Sequence, residues 1–267
     1  MSTPTDMKIT AMQESRTLRV GIFGRGRLGS MVARLVEESG DLSLAWTVGR
    51  DGPMPRGAVD VALDASVGGA VQGHLAWALA SGTSIVVGAT GWDRGILDAI
   101  EYEPKALPIG IMLAPNFSVA MAFMRRAALA LGGLAALERQ ADLAIVERHH
   151  RAKADAPSGS ATQLAEALAM GSGRHCGWAL GSARDGAISI ASLRSGTSVG
   201  YHELRYEAPR ETIVFSHVAY SREVFAEGAL RALRWLPGRT GLFSFDQLCA
   251  DILAPIFQVA ATWEVTL

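Results

Sequence analysis

A chain of 267 residues is long enough for one large domain or two ordinary ones, and 49% apolar beside 19% charged residues excludes a disordered polymer. A net charge of −1 leaves no basic face for nucleic acid or anionic lipid, so any pull on an anionic ligand must be local. Cys176 and Cys249 form neither a metal-ligand spacing nor a disulfide framework; this fits a reducing compartment and makes a cytoplasmic location the expectation.

Residues 1–16 lack the continuous apolar stretch of a secretory signal and are expected to form a frayed extension. Leu18–Phe23 reads as a buried strand running into Gly24-Arg25-Gly26-Arg27-Leu28-Gly29, after which Leu28, Val32, Leu35 and Val36 recur at helical spacing. Leu42–Val48 is a period-two strand and Val59–Leu63 a third, followed by a helix over Val71–Ala80 with Leu75 and Leu79 on one face. Ser84–Val87 and Ile109–Leu113 supply further strands, with an acidic helical stretch near 93–101 between them. Such alternation predicts an α/β, Rossmann-like open parallel sheet with helices on both faces.

After about residue 118 the texture changes. A helix is expected over Val119–Leu131, ending before Gly132-Gly133; Arg125 and Arg126 in its interior make it a poor membrane span. A strand at Ala141–Glu147 and a helix from about Ala161 follow, then strands at Ile188–Leu193, Val199–Tyr206 and Thr212–Val218. Strands with few intervening helices predict an α+β second domain with a mainly antiparallel open sheet. A helix over Arg222–Trp235 aligns Phe225, Ala229, Ala232 and Leu236 and stops at Pro237-Gly238; the apolar tail from Leu242 is expected to pack back on the protein. The expected division is 1–118 with 230–267 for the dinucleotide domain, and 119–229 for a substrate-binding and oligomerisation domain.

The pattern Gly24-x-Gly26-x-x-Gly29 between a strand and an amphipathic helix points to dinucleotide binding. Glycines let the backbone approach a pyrophosphate seated at the helix start, and Arg25 and Arg27 add attraction. The second strand ends Val48-Gly49-Arg50, without the acid that grips an NAD ribose. Arg50 can bond a 2′-phosphate, so NADPH is the preferred cofactor and NADH the alternative.

Residues 147–161 place His149, His150, Lys153 and Asp155 before a Pro-Ser-Gly-Ser turn that opens a helix. The imidazoles and ammonium beside free backbone N–H groups suit a small dianion and proton transfer onto it. Adjacent histidines on a strand face opposite ways, and their spacing suits no zinc site, so no metal is expected. Ser158 lacks the Gly-x-Ser-x-Gly surroundings of a nucleophile, whereas Ser160 with Gln163 reads as a capping box.

This segment resembles the signature of the 4-hydroxy-tetrahydrodipicolinate reductase (dihydrodipicolinate reductase) family, E-x-H-H-x-x-K-x-D-x-P-S-G-T-A, with only Ser160 departing. Gly88-Ala89-Thr90-Gly91-Trp92 is similar to the family's G-T-T-G-aromatic stretch, and Ala114-Pro115-Asn116-Phe117-Ser118 to its A-P-N-F-S turn. Gly200-Tyr201-His202, Ser221-Arg222, Phe225-Ala226 and Gly228-Ala229 resemble its C-terminal motifs.

The resemblance implies NADPH- or NADH-dependent reduction of a small cyclic dicarboxylate in lysine and diaminopimelate biosynthesis. It also implies a dinucleotide domain built from both chain ends and a homotetramer joined through the central domain's open sheet. By position it makes His149 a proton donor or acceptor and Lys153 the proton donor to the ring. His150 would bind a substrate carboxylate with the amides of Gly159 and Ser160, and Ser158 in the same turn is counted with the substrate-binding residues. Gly24 to Gly29, Arg50, Gly88 to Thr90 and Ala114 to Phe117 would line the dinucleotide. Ala89 for threonine, Asp64-Ala65-Ser66 for D-F-T and Tyr201 for glutamate depart from the pattern and bear on cofactor preference and turnover more than on substrate class. Alternatives are a related reductase of another imine or aldehyde, or a non-catalytic dinucleotide-binding regulator.

Overall fold

The computed structural model describes residues 16–93, 95, 97, 107–183 and 186–261. The expected N-terminal extension (but for Arg16), most of the acidic helical stretch and the end of the tail lie outside the described residues. The chain forms two compact units, Met1–Met112 with Leu233–Leu242 and Leu113–Ala232 with Phe243–Leu267.

The first unit is built on β1 (Leu18–Phe23), β2 (Leu42–Val48), β3 (Val61–Asp64), β4 (Ser84–Val87), β5 (Gly110–Leu113) and β11 (Gly241–Ser244). They form a six-stranded sheet in the order β11-β5-β4-β3-β1-β2. β1 pairs in parallel with β2 on one side and β3 on the other, and β3 in parallel with β4. β3 and β4 are buried at every residue, as strands covered on both faces must be. The chain leaves β1 toward β2 and then returns to its other side, so the order reverses at β1. The crevice beyond the carboxyl ends of strands at such a reversal is where ligands bind in open α/β sheets. Helix α1 (Arg27–Glu37) buries Gly29, Val32 and Val36, and α2 (Val71–Ser81) buries Val71, His74, Leu75 and Ala78.

The second unit contains α3 (Val119–Leu137), β6 (Asp142–His149), α4 (Gly159–Ser172), β7 (Trp178–Leu180), β8 (Ile188–Arg194), β9 (Gly200–Ala208), β10 (Glu211–Ala219), α5 (Glu223–Trp235) and α6 (Phe245–Ala261), though the end of α5 groups with the first unit. Its five-stranded sheet runs β10-β9-β6-β8-β7. The β10–β9 and β9–β6 pairs are antiparallel, whereas β6–β8 and β8–β7 are parallel. The sheet is therefore mixed, not mainly antiparallel as expected. For the β6–β8 pair the cause is α4, which carries the chain back between the end of β6 and the later strands; parallel neighbours need such a crossover.

Met124, Ala128 and Leu131 of α3 and Leu164 and Leu168 of α4 form one core with Leu143, Ile145, Ile190, Leu204 and Tyr206 of the sheet. By length and composition α3 could cross a membrane, but its Met121, Ala128 and Ala135 lie in this core. The helix also does not stop at Gly132. A Cβ on Gly132 would overlap the Leu168 carbonyl oxygen, and one on Gly171 the Leu129 carbonyl oxygen. The glycines here let two helix backbones touch; they do not terminate a helix.

The tail also departs from expectation. Residues 243–261 group with the second unit because α6 packs on α3, Phe245 meets Phe117 edge-on at 5.6 Å, and Asp246 pairs with Arg125.

Intrinsic propensity alone would make Gly171→Ala stabilising by about 1 kcal/mol. The close helix contact reverses the sign, and we expect a loss of about 1–3 kcal/mol in chemical denaturation. Gly133→Ala, where a Cβ meets nothing within 4 Å, should be neutral or stabilising.

Candidate functional site

In the first unit the glycine loop connects β1 to α1. Gly24 has φ of 106°, in the region that favours glycine, and a Cβ there would overlap the Ala65 carbonyl oxygen. A Cβ on Gly29 would overlap the Gly24 carbonyl oxygen, whereas one on Gly26 would meet nothing within 4 Å. Gly26 is the N-cap of α1 and offers no side-chain cap, so the first-turn N–H groups have no acceptor from the cap residue, and a Cβ on Gly26 would point into open space. That cradle is the shape and polarity a pyrophosphate needs.

Beside it lies a cavity of 350 Å³ whose walls include Gly24, Arg25, Gly26, Arg50, Ser66 and His74. Arg25 donates from Nη2 to the Thr47 carbonyl at 2.9 Å, and its Cδ would lie 3.5 Å from a Cβ on Gly49. An arginine thus overlies the position where an acid would select NAD, and Arg50 is exposed at the same rim. Arg27, Leu28 and Gly29 form the first turn of α1.

Gly88 and Ala89 donate their backbone N–H groups to the Asp64 carbonyl at 2.8 and 3.2 Å, and Thr90 is exposed; none of the three lines the cavity. Ala114, Pro115, Asn116 and Phe117 belong to the second unit, where Asn116 donates from Nδ2 to Ser160 Oγ at 3.2 Å.

A buried polar group under the cavity was not singled out from sequence. Asp64 is fully buried, with Oδ2 2.7 Å from His74 Nδ1 and Oδ1 accepting from the Ser66 hydroxyl at 2.5 Å. The His74 ring stacks on Phe23 with centroids 3.9 Å apart. A histidine on the buried face of α2, ten residues after an aspartate that ends a strand, was the available signal.

In the second unit, alternation along β6 buries Leu143, Ile145, Glu147 and His149 on one face. That face turns from apolar to polar at its carboxyl end. Glu147 is fully buried; its Oε2 lies 2.5 Å from His149 Nδ1, and its Oε1 accepts from Arg194 Nη2 at 2.7 Å and from the Ser158 amide at 3.3 Å. Burial pushes this carboxyl up, but the bonds from His149 and Arg194 outweigh it and hold Glu147 far below the usual carboxylate range. Arg194 also donates from Nη2 to the Asp155 carbonyl at 2.5 Å. The Lys153 amide donates to the His150 carbonyl at 3.1 Å, and its Nζ donates to Asp155 Oδ2 at 2.8 Å. The His150 amide donates to Ser198 O at 2.8 Å.

The helix cap differs from the sequence reading. Ser158, with extended backbone (φ −68°, ψ 151°), is the N-cap of α4, and its Oγ accepts from the Ala161 amide at 3.2 Å. Ser160 lies inside the first turn and receives the Asn116 amide, while Gln163 accepts from Arg125 Nη1 at 3.0 Å. The amides of Gly159 and Ser160, at the first two helical positions, have no partner within the helix and can meet an anion.

Glu147 thus joins His149 to the Ser158 cap that opens α4 at Gly159 and Ser160, Lys153 is tied to Asp155 on the intervening loop, and two residues that sequence analysis did not assign complete the cluster. Arg194 is one; it lies opposite His149 in the β6–β8 register. His202 is the other, 4% exposed, with Nε2 3.3 Å from Ser158 Oγ and its ring edge-on to His149 at 5.2 Å. Burial, then the His149 charge, push His202 down to about 3. Glu147, His149 and His202 have ligand-type atoms within 4.8 Å of one another. The Arg194 guanidinium already supplies the positive charge that the Glu147 carboxylate needs, and the group is a hydrogen-bonded cluster.

Comparison with known proteins adds a family. Residues 53–117 match the family described as dihydrodipicolinate reductase, N-terminus, and residues 117–249 the one described as dihydrodipicolinate reductase, C-terminus. A 4-hydroxy-tetrahydrodipicolinate reductase of Acidiphilium cryptum is 38% identical over 233 residues, covering 83% of this chain and 93% of the relative. One from Gluconobacter oxydans is 39% identical over 244 residues, covering 85% and 94%. The dipicolinate-bound dihydrodipicolinate reductase of Paenisporosarcina sp. TG-14 superposes with a TM-score of 0.70 over 85% of this chain and 97% of its own; at 23% identity that likeness concerns the fold.

His202 makes stability depend on pH with a definite sign. The unfolded chain takes up its proton near the ordinary value of 6.5, whereas the folded site resists until about 3. Its contribution is complete above 6.5 and is lost as pH falls below that. Between pH 6.5 and about 5.5, above the range where Glu147 titrates in the unfolded chain, His202→Asn should flatten the decline of unfolding free energy by up to about 1.4 kcal/mol per pH unit. Equal slopes for the two proteins in equilibrium denaturation would remove His202 as the cause.

Proposed function

The chain belongs to the dihydrodipicolinate reductase family, and from that premise we propose that it is an NAD(P)H-dependent reductase of 4-hydroxy-tetrahydrodipicolinate, forming tetrahydrodipicolinate for diaminopimelate and lysine synthesis. The observation that carries this reading is the buried Glu147 bonded to His149 and to the Ser158 amide at the start of α4, with Lys153 on the loop between them, all within the residues matched by the family.

The glycine cradle and its neighbouring cavity fit a dinucleotide by backbone shape and by arginine placement. When bound, the reduced nicotinamide supplies the hydride. The residues of the second unit supply the rest. His150 and the amides of Gly159 and Ser160 hold one substrate carboxylate at the start of α4, where the helix dipole favours negative charge. Reduction of a double bond conjugated with the imine and carboxylate builds negative charge on the ring, and a proton must then reach it. Lys153 stabilises that charge and delivers the proton, and His149 exchanges protons alongside it. Asp155 keeps the Lys153 ammonium in place.

NADPH is the preferred cofactor, supported by Gly49 in place of an acid and by Arg25 and Arg50 at the cavity. A homotetramer joined through the second sheet is supported by its exposed apolar residues, Leu193, Val214, Phe215 and Val218. The free cysteines fit a cytoplasmic setting.

The test is direct: protein and NADPH are mixed with 4-hydroxy-tetrahydrodipicolinate generated in the cuvette, and the absorbance of the reduced cofactor is followed. Steady consumption is expected; none with either NADPH or NADH would refute the activity. Lys153→Ala should lower kcat about 100-fold while NADPH binding is retained. Arg50→Ala should raise KM for NADPH about tenfold and leave KM for NADH within about twofold, the loss expected for one charge-assisted phosphate contact.

A further inference from the structure

Resting on the reading of His149 as a proton-handling group, we infer that Glu147 and Arg194 are positioning residues that fix His149 in its Nδ1–H tautomer, with the His202 ring packed edge-on against it, and that Arg194 ties it to the loop that carries Lys153.

The donor–acceptor inventory decides the tautomer. Glu147 Oε1 faces Arg194 Nη2 and the Ser158 amide, both of which can only donate. The Arg194 guanidinium against it keeps Glu147 ionised, so both oxygens accept, and the 2.5 Å contact from Oε2 to His149 Nδ1 places the hydrogen on Nδ1. Nε2 is left as the nitrogen that gains and loses a proton. A Cβ on Gly200 would lie 3.3 Å from this Nε2, so the glycine keeps its surroundings open.

His202 completes the arrangement from β9. The Ser158 hydroxyl oxygen already accepts the helix-capping amide, so its hydrogen is available to donate to His202 Nε2. Burial keeps this imidazole neutral. His217 lies across the β9–β10 pairing with its ring 6.4 Å away, and burial lowers it as well. The charged groups around His149 are thus Glu147 beside it, Arg194 on β8 and Lys153 on the following loop. Neither neighbouring imidazole competes as a cation. Because one Arg194 guanidinium bonds both Glu147 and the Asp155 carbonyl, it couples the imidazole's placement to that of the Lys153 ammonium.

The experiment has two arms on the full-length protein. In the first, histidine ¹⁵N NMR of the wild type should show His149 protonated on Nδ1 with Nε2 titrating; the reverse pattern overturns the inference without any variant. In the second, Glu147→Gln should lower kcat about 10- to 100-fold with the substrate KM within about threefold. The kcat–pH profile should move toward acid, because a negative charge has been removed beside the imidazole. Glu147→Asp should recover part of the rate. A Glu147→Gln protein that merely melts earlier, with kcat and the pH profile unchanged, refutes the positioning role. If the variant does not fold, the wild-type tautomer decides. If the wild type consumes no NAD(P)H with the substrate, the proposed activity fails, and the NMR arm still decides whether His149 is held as described.

Discussion

A carboxylate removed from water must be met by hydrogen-bond donors, and Glu147 dictates what surrounds it. Its bonds reach along its own strand to His149, across to Arg194 on β8, and to the amide that begins the cap of α4. The parallel β6–β8 register, the start of α4 and the orientation of an imidazole therefore depend on one buried charge. The same two-residue period that seats Leu143 and Ile145 in the core seats Glu147 and His149 beyond it. Fold and chemistry share a single strand face, and the boundary between them falls between Ile145 and Glu147.

The first unit solves its problem with backbone. Gly24 and Gly29 are required because the chain passes too close to itself for a Cβ, and this contact leaves the space over Gly26 open. Beneath it Asp64 plays a part similar to that of Glu147. It is buried, it ends a strand, and it is met by a histidine, a hydroxyl and a backbone amide. In both units a buried acid at a strand's carboxyl end orders the loops that follow.

Local features were legible in the sequence. The extents of β1, β2 and β4 follow from apolar runs and period-two alternation, and the glycine loop and the 147–161 segment announced their chemistry through residue type and spacing. What was missed depends on which chain segment lies next to which. Arg194 looks like any strand-end cation until β8 is paired in parallel with β6, and that pairing was hidden because α4 was not recognised as a crossover. Gly132-Gly133 looks like a helix stop until Leu168 of the adjacent helix is brought against it. Ser158 and Ser160 are equally good caps on paper; the extended backbone at 158 decides between them.

The same geometry accounts for the positions where this chain departs from its family's pattern. Tyr201 faces away from His202, since neighbours on β9 alternate; its hydroxyl donates to Glu203 on that outer face, and Arg148 lies 5.5 Å from its ring. Replacing the pattern's glutamate there alters the outer face of the second sheet, leaving the side that holds His149 as it is. Ser66 retains the hydroxyl that a threonine would offer Asp64, and Ala89 takes part through its backbone N–H. Where a position acts through its backbone or a retained hydroxyl, the side chain is free to change. Where it acts through a charge with no water to replace it, as at Glu147, the residue type is fixed by the cost of leaving its partners unpaired.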